Sequence, residues 1–186
     1  MKKYLLSMFL LPLCIAVTAQ DKYGKGSMPF NEAGEVVFEE VVQQEGSAER
    51  LYSLAKMAIA DMFVSAKDAT QLNDDTSHTV MVKGTNMIRE LFANVDIHFS
   101  LKVQTKDGRY RVSFYDITYV AHLSNGLPDT RWKAEVLTDK NCLNKKEECK
   151  KTGQGFARRC VIDTKDRLFS EIKAKMNQSE KSSEDW

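Results

Sequence analysis

The sharpest alternation in the chain runs from Ile97 to Gln104. Ile97, Phe99, Leu101 and Val103 are apolar, and His98, Ser100, Lys102 and Gln104 between and beyond them are polar. A period of two predicts a strand with one face buried and the other open. Lys106-Asp107-Gly108-Arg109 follows, and Asp-Gly between two alternating runs is a strong hairpin signal. Tyr110, Val112 and Phe114 then alternate with Arg111, Ser113 and Tyr115, so a second strand folds back on the first. Near Asp116 the parity flips, because Ile117 and Tyr119 are the apolar positions beyond it. A bulge there reconciles the two halves.

The flanking patterns supply the rest of the fold. Glu35 to Gln43 is valine-rich, contains Phe38, and is bounded by Gly34 and Gly46, which predicts a strand. Ser47 is a good helix N-cap with Glu49 in the first turn, and Leu51, Leu54, Ala55, Ala58 and Met62 follow at helical spacing to about Val64. Thr79 to Gly84 reads as a short strand, with room for another around Ala69 to Leu72. Ser124 to Asp129, with Asn125-Gly126 and Pro128, is a turn, and Trp132 to Leu137 a short element. Asp163 or Thr164 caps a helix through about Met176, with Leu168, Phe169 and Ile172 on its apolar stripe. The expected fold class is α+β in a single domain over residues 34–176, its antiparallel sheet covered by helices on one face. Residues 20–33, rich in Gly, Ser and Pro, read as a flexible lead, and 177–186 as a disordered tail.

Several stretches in order add a resemblance: Gly34-Glu-Val-Val-Phe-Glu-Glu-Val-Val, Gly46-Ser-Ala-Glu-Arg-Leu-Tyr, Val82-Lys-Gly84-Thr, and the run from Phe99 through Asp107-Gly108 to Val112. Over residues 34–120 the chain resembles the exported bacterial domain-of-unknown-function family 4468, which has a TATA-binding-protein-like fold. The resemblance implies a β-α-β(4)-α architecture. It implies no activity and carries over no catalytic residues. Two features depart from the family: there is no tryptophan near Met57-Ala58, and the cysteine-bearing segment 138–160 is an addition.

The first nineteen residues have the three parts of a secretory signal peptide. Lys2 and Lys3 precede an apolar run from Tyr4 to Val17, and Val17-Thr18-Ala19 places small residues before Gln20. The run is short for a bilayer span, so an integral membrane protein is not expected. Lipoprotein anchoring through Cys14 is disfavoured because Leu13, not a small residue, precedes it. Cleavage after Ala19 removes both lysines, leaving 25 basic against 26 acidic residues, a net charge of −1. An exported, nearly neutral chain points away from nucleic acid. The expected location is the periplasm or outside the cell, and the expected partner an envelope protein or glycan.

Cys142, Cys149 and Cys160 remain after cleavage. In an oxidising compartment they predict one structural disulfide and one odd thiol. If 141–151 is helical, Cys142 and Cys149 lie about 10 Å apart along the axis and one of them would pair with Cys160. A Cys142–Cys149 bond would instead make the stretch a loop. A three-thiolate zinc site lacks the close cysteine pairs and the histidine such sites use.

Candidate chemistry is sparse. His78, His98 and His122 fall in no nucleophile motif, and Asp74-Asp75 reads as a solvated turn. Arg158 and Arg159 would lower the pKa of a Cys160 thiol, which leaves a small thiol-dependent enzyme as the alternative reading. The basic run Lys145, Lys146, Lys150, Lys151, Arg158 and Arg159, offset only by Glu147 and Glu148, reads as a solvated face. Assembly through an exposed strand edge or the odd cysteine is a third reading. The leading expectation is a non-enzymatic binding or scaffold module without cofactor or metal. It would use the polar face of the hairpin, with Lys102, Arg109, Arg111 and Tyr115 as contact residues.

Overall fold

The computed structural model describes residues 21–63, 70–89, 93–123 and 128–184. Its elements in chain order are β1 (Phe38–Gln43), α1 (Ala48–Met62), β2 (Thr70–Asp74), β3 (Thr79–Arg89), β4 (Ala93–Lys106), β5 (Arg109–Leu123), β6 (Thr130–Lys133), a 3-10 turn (Ala134–Val136), α2 (Asp139–Cys142) and α3 (Gly153–Glu184). The signal peptide, Cys14 and the Asn125-Gly126 turn lie outside the described residues.

The alternating hairpin is the middle of a six-stranded antiparallel sheet in the order β1-β5-β4-β3-β2, with β6 also paired to β5. Val80, Val82, Leu101, Val103, Val112 and Phe114 are buried on one face. Over it lie α1, through Leu51, Leu54, Ala55, Ala58 and Ile59, and α3, through Ala157, Val161, Leu168, Ile172 and Met176. The two helices also pack on each other. The α+β fold with helices on one sheet face is therefore as the periodicity indicates. Two caps close the N-terminus of α1, and the second ties it to the hairpin. Arg50 N donates to Ser47 Oγ at 3.2 Å, and Ala48 N donates to Asp107 Oδ1 at 2.7 Å.

The bulge sits where the parity slips. His98 faces Thr118 and Ser100 faces Tyr115, so Asp116 and Ile117 together oppose Phe99. Asp116 takes φ +51°, a left-handed conformation that Asp tolerates better than most residues.

Four boundaries differ from the sequence expectation. First, β3 continues five residues past Gly84, to Arg89. Gly84 makes room for the Phe63 and Phe99 rings. Asn86, which breaks the apolar pattern, donates to Thr164 Oγ1 at 2.8 Å and accepts from Arg167 Nη2 at 2.8 Å. Second, α3 begins at Gly153, ten residues before Asp163, because Ala157, Cys160 and Val161 extend its buried stripe beneath a charged sequence. Thr164 is a buried hydrogen-bonding residue of the helix interior and not its cap. Third, the helix continues through Glu184, over most of the stretch read as a tail.

Fourth, the lead does not hang free. Met28 is buried, Tyr23 OH donates to Asp163 Oδ1 at 2.8 Å, and the Arg159 guanidinium stacks 4.5 Å from the Tyr23 ring centre. Arg158, with none of its surface exposed, completes the attachment. Its guanidinium donates to Gly24 O, to Ser27 Oγ, to Leu137 O at 3.3 Å and to Asp139 Oδ1 at 2.7 Å.

Candidate functional site

On the sheet face turned away from the helices, the ladder sets the expected contact residues close together. Arg111 pairs with Gln104, Lys102 with Ser113, and Ser100 with Tyr115. Strand β1 adds Val41 beside Arg111 and Glu39 beside Ser113. Strand β3 adds Met81 beside Lys102 and Lys83 beside Ser100. Lys102 Nζ lies 5.6 Å from the Tyr115 ring centre, within cation–π range. The Tyr115 hydroxyl donates to Met81 Sδ at 2.9 Å. Burial, and then the neighbouring Asp116 carboxylate, push the Tyr115 pKa up. Arg109 sits one row further, at the hairpin end, where it and Arg111 border a cleft of about 230 Å³.

Arg111 is already engaged. Its Nη2 donates to Gln104 Oε1 at 2.7 Å and its Nη1 lies 3.7 Å from Glu39 Oε2, while Ser113 Oγ donates to Glu39 Oε1 at 2.8 Å. Exposed pairs of this kind contribute little stability. Here they hold the guanidinium against the sheet. Val41 and Leu72, both about half exposed, place apolar side chains on the outer strands of the same face.

The bulge region is different. Around Asp116 the open face is hollowed on both sides. A depression of about 330 Å³ reaches toward His98, Ser100 and Thr118, and a cleft of about 730 Å³ reaches toward Tyr115, Trp132 and Val37. The cleft exists because β1 reaches only to Phe114 on the β5 edge and β6 begins only at Thr118. Three residues of β5, from Tyr115 to Ile117, thus lie between the two strands. Sequence reasoning missed this hollow, although the parity slip at Asp116 marks its position.

The residues weighed for chemistry have structural partners. His122 Nε2 and Nδ1 each lie 2.9 Å from a carboxylate oxygen, of Asp96 and Asp129. The Asp96 hydrogen bond leads in raising the His122 pKa, and the imidazole bridges the two carboxylates. His98 Nδ1 and Thr85 Oγ1 are 2.8 Å apart across the ladder. Asp74 accepts from Thr76 N, Ser77 N and Ser77 Oγ, closing its own turn. Asp75 accepts from Tyr52 OH at 2.7 Å. Among the described residues there is no group of three or more His, Cys, Asp or Glu able to hold a metal ion.

The cysteines correct the disulfide expectation. Cys142, Cys149 and Cys160 are buried, and none of them is in a disulfide. Cys142 ends the one-turn α2, and Leu143 forms a bridge with Cys149, so the stretch is neither a continuous helix nor a stapled loop. Cys142 Sγ donates to Gln154 O and Cys149 Sγ to Gly155 O, each at 3.3 Å. Burial pushes both thiols up, against the pull of Arg158 on Cys142 and Arg159 on Cys149. Arg158 serves the lead and α2 and is not part of the exposed lysine run. We expect iodoacetamide to label the native chain starting at Gln20 at least about 100-fold more slowly than the urea-unfolded chain at all three positions. Rapid native labelling of one cysteine, read by mass, would contradict this burial and revive the thiol reading.

A one-layer antiparallel sheet, backed by two packed helices and open on its polar face, defines the class: a TBP-like α+β domain. Over residues 38–120 the chain matches the family described as domain of unknown function (DUF4468) with TBP-like fold. A crystal structure of a DUF4468 family protein from Bacteroides ovatus is similar at 22% identity and TM-score 0.71, over 83% of this chain and 93% of that one. A TBP-like protein from Parabacteroides distasonis is similar at 14% identity and TM-score 0.63, over 81% and 97%. At these identities the likeness shows the fold alone. The sequence matches no curated protein. Among the described residues no helix is long and apolar enough to cross a membrane.

Proposed function

We propose that this protein is an exported, non-enzymatic binding module of the bacterial cell envelope, and that its open sheet face engages an envelope protein or glycan. The observation that carries this reading is the uncovered polar face of β3, β4 and β5, where Lys102, Arg109, Arg111 and Tyr115 stand opposite the two-helix layer. The signal-like first nineteen residues support export, and cleavage after Ala19 would give an intact mass beginning at Gln20 for protein recovered from the envelope.

The test of the face is the double variant Arg109→Ala, Arg111→Ala. Both side chains are exposed, so stability should change by less than about 0.5 kcal/mol per site. Crosslinked capture of the envelope partner should be lost. Capture equal to wild type by this correctly folded variant would sink the assignment.

A further inference from the structure

We propose that the hollow around Asp116 is a subsite for a neutral saccharide, one sugar unit of a glycan. The inference rests on the reading of the open sheet face as a binding surface and names the ligand class for one part of it.

Three observations converge. The first is backbone geometry. Among the described residues two other non-glycine residues have positive φ, His78 and Glu147, and both lie outside the strands; Asp116 takes its φ of +51° inside one. Such a conformation costs energy for any residue with a side chain, and a bulge re-aims the residue that carries it. Here the residue so aimed is a carboxylate that borders the hollow on both sides.

The second is unspent hydrogen-bonding capacity. Further down the face Arg111, Gln104, Glu39 and Ser113 satisfy one another. In the hollow, the side chains of Ser100, Asp116 and Thr118 form no hydrogen bond or ion pair among the described residues. Ser100 is only 2% exposed, and its hydroxyl is not among the fully buried atoms left without a partner, so what it presents to the hollow is a solvated hydroxyl whose water a ligand hydroxyl can replace. Ser100 and Thr118 can each donate and accept, and the Asp116 carboxylate can accept from two adjacent hydroxyls. That combination suits a polyhydroxylated ring.

The third is charge and shape. Lys83, Arg131 and Lys133 around the hollow are matched by Glu35, Asp116 and Glu135, so neither an anion nor a cation is favoured by the local field. The half-buried Tyr115 borders the larger cleft and offers apolar surface to the C–H face of a sugar, while Trp132 on the same lining is stacked on Tyr119. Volumes of about 330 and 730 Å³ lie in the range of small-molecule sites.

The test is saturation-transfer NMR with neutral hexoses, N-acetylhexosamines and their disaccharides at millimolar concentration, using the chain from Gln20. Saturation should pass to the sugar protons in wild type. Ser100→Ala and Thr118→Val should each weaken binding about tenfold. Thr118→Ser, which keeps the hydroxyl, should retain it, and so should the Arg109→Ala, Arg111→Ala double variant. No transfer to any neutral saccharide overturns the inference. So does binding confined to uronates or peptides, or binding unchanged in both Ser100→Ala and Thr118→Val. The two readings separate cleanly. Sugar binding that depends on Ser100 and Thr118 establishes the subsite even if envelope capture survives loss of the arginines. Arginine-dependent capture with no sugar binding removes the subsite and leaves the face.

Discussion

Arg158→Ala should destabilise the protein by about 3–5 kcal/mol, the usual cost of removing one member of a buried, hydrogen-bonded ionic group. For a chain of this size that corresponds to a fall in Tm of roughly 10 °C or more. Arg158 is fully buried and its guanidinium ties together three separate segments: the lead at Gly24 and Ser27, the 3-10 turn through Leu137 O, and α2 through Asp139. Truncation leaves a cavity and strands two carbonyl oxygens. Arg158→Met fills most of the cavity yet supplies no donor, so it should recover only a minor part of the loss. Hydrogen exchange should locate the damage: amides of residues 21–30 should lose protection well before those of β4 and β5. The wild-type margin should also narrow in acid. Partial burial disfavours the Asp139 carboxylate, but the Arg158 and Gly26 N–H hydrogen bonds outweigh it and lower its pKa. A carboxylate with a lowered folded pKa adds stability above its unfolded value, and that contribution disappears as pH falls through the folded one. A variant whose lead keeps full protection would show that this guanidinium is not what holds the lead.

The contrast between the hairpin and the lead shows which physics a sequence displays. Ile97 to Gln104 and Tyr110 to Tyr115 alternate because one face is buried and the other solvated, and that difference is written residue by residue in polarity. The bulge at Asp116 was legible for the same reason, as a change of parity. The lead is held largely by backbone: the Gly24 carbonyl accepts from an arginine 134 residues away. Gly, Ser and Pro look the same in a loose segment and in a clamped one. The buried half-turns at the start of α3 were masked similarly, because Arg158 and Arg159 read as surface charge until their partners are known. Cysteine spacing could not decide between thiols and a disulfide, since pairing depends on where α2 ends. In the candidate site, the sequence placed Lys102, Arg109, Arg111 and Tyr115 on the open face. Register was needed to find Arg111 already committed to Gln104 and Glu39, and a hollow at the gap between β1 and β6.

Gly155→Ala should destabilise the fold by about 2–3 kcal/mol, although glycine-to-alanine in a helix ordinarily gains about 1 kcal/mol. Gly155 lies in the first turn of α3 and is buried. A Cβ on it would stand 2.6 Å from Lys150 Cβ and 2.8 Å from the Lys150 carbonyl carbon, and would run into the carbonyl oxygen. These obstacles are mainly backbone, so no rotamer change relieves them. The 149–150 segment would have to move away from the helix, breaking the Cys149 thiol's hydrogen bond to Gly155 O and the Arg159 Nη2 hydrogen bond to Cys149 O. Two readouts should therefore change together: the denaturant midpoint should fall, and Cys149 should become the fastest of the three thiols to alkylate. The coupling distinguishes a steric wedge at this contact from a general loss of helix stability, which would expose Cys149 no sooner than Cys160 on the same helix. A Gly155→Ala protein as stable as wild type, with all three thiols still protected, would mean that the cysteine loop does not press on α3 here.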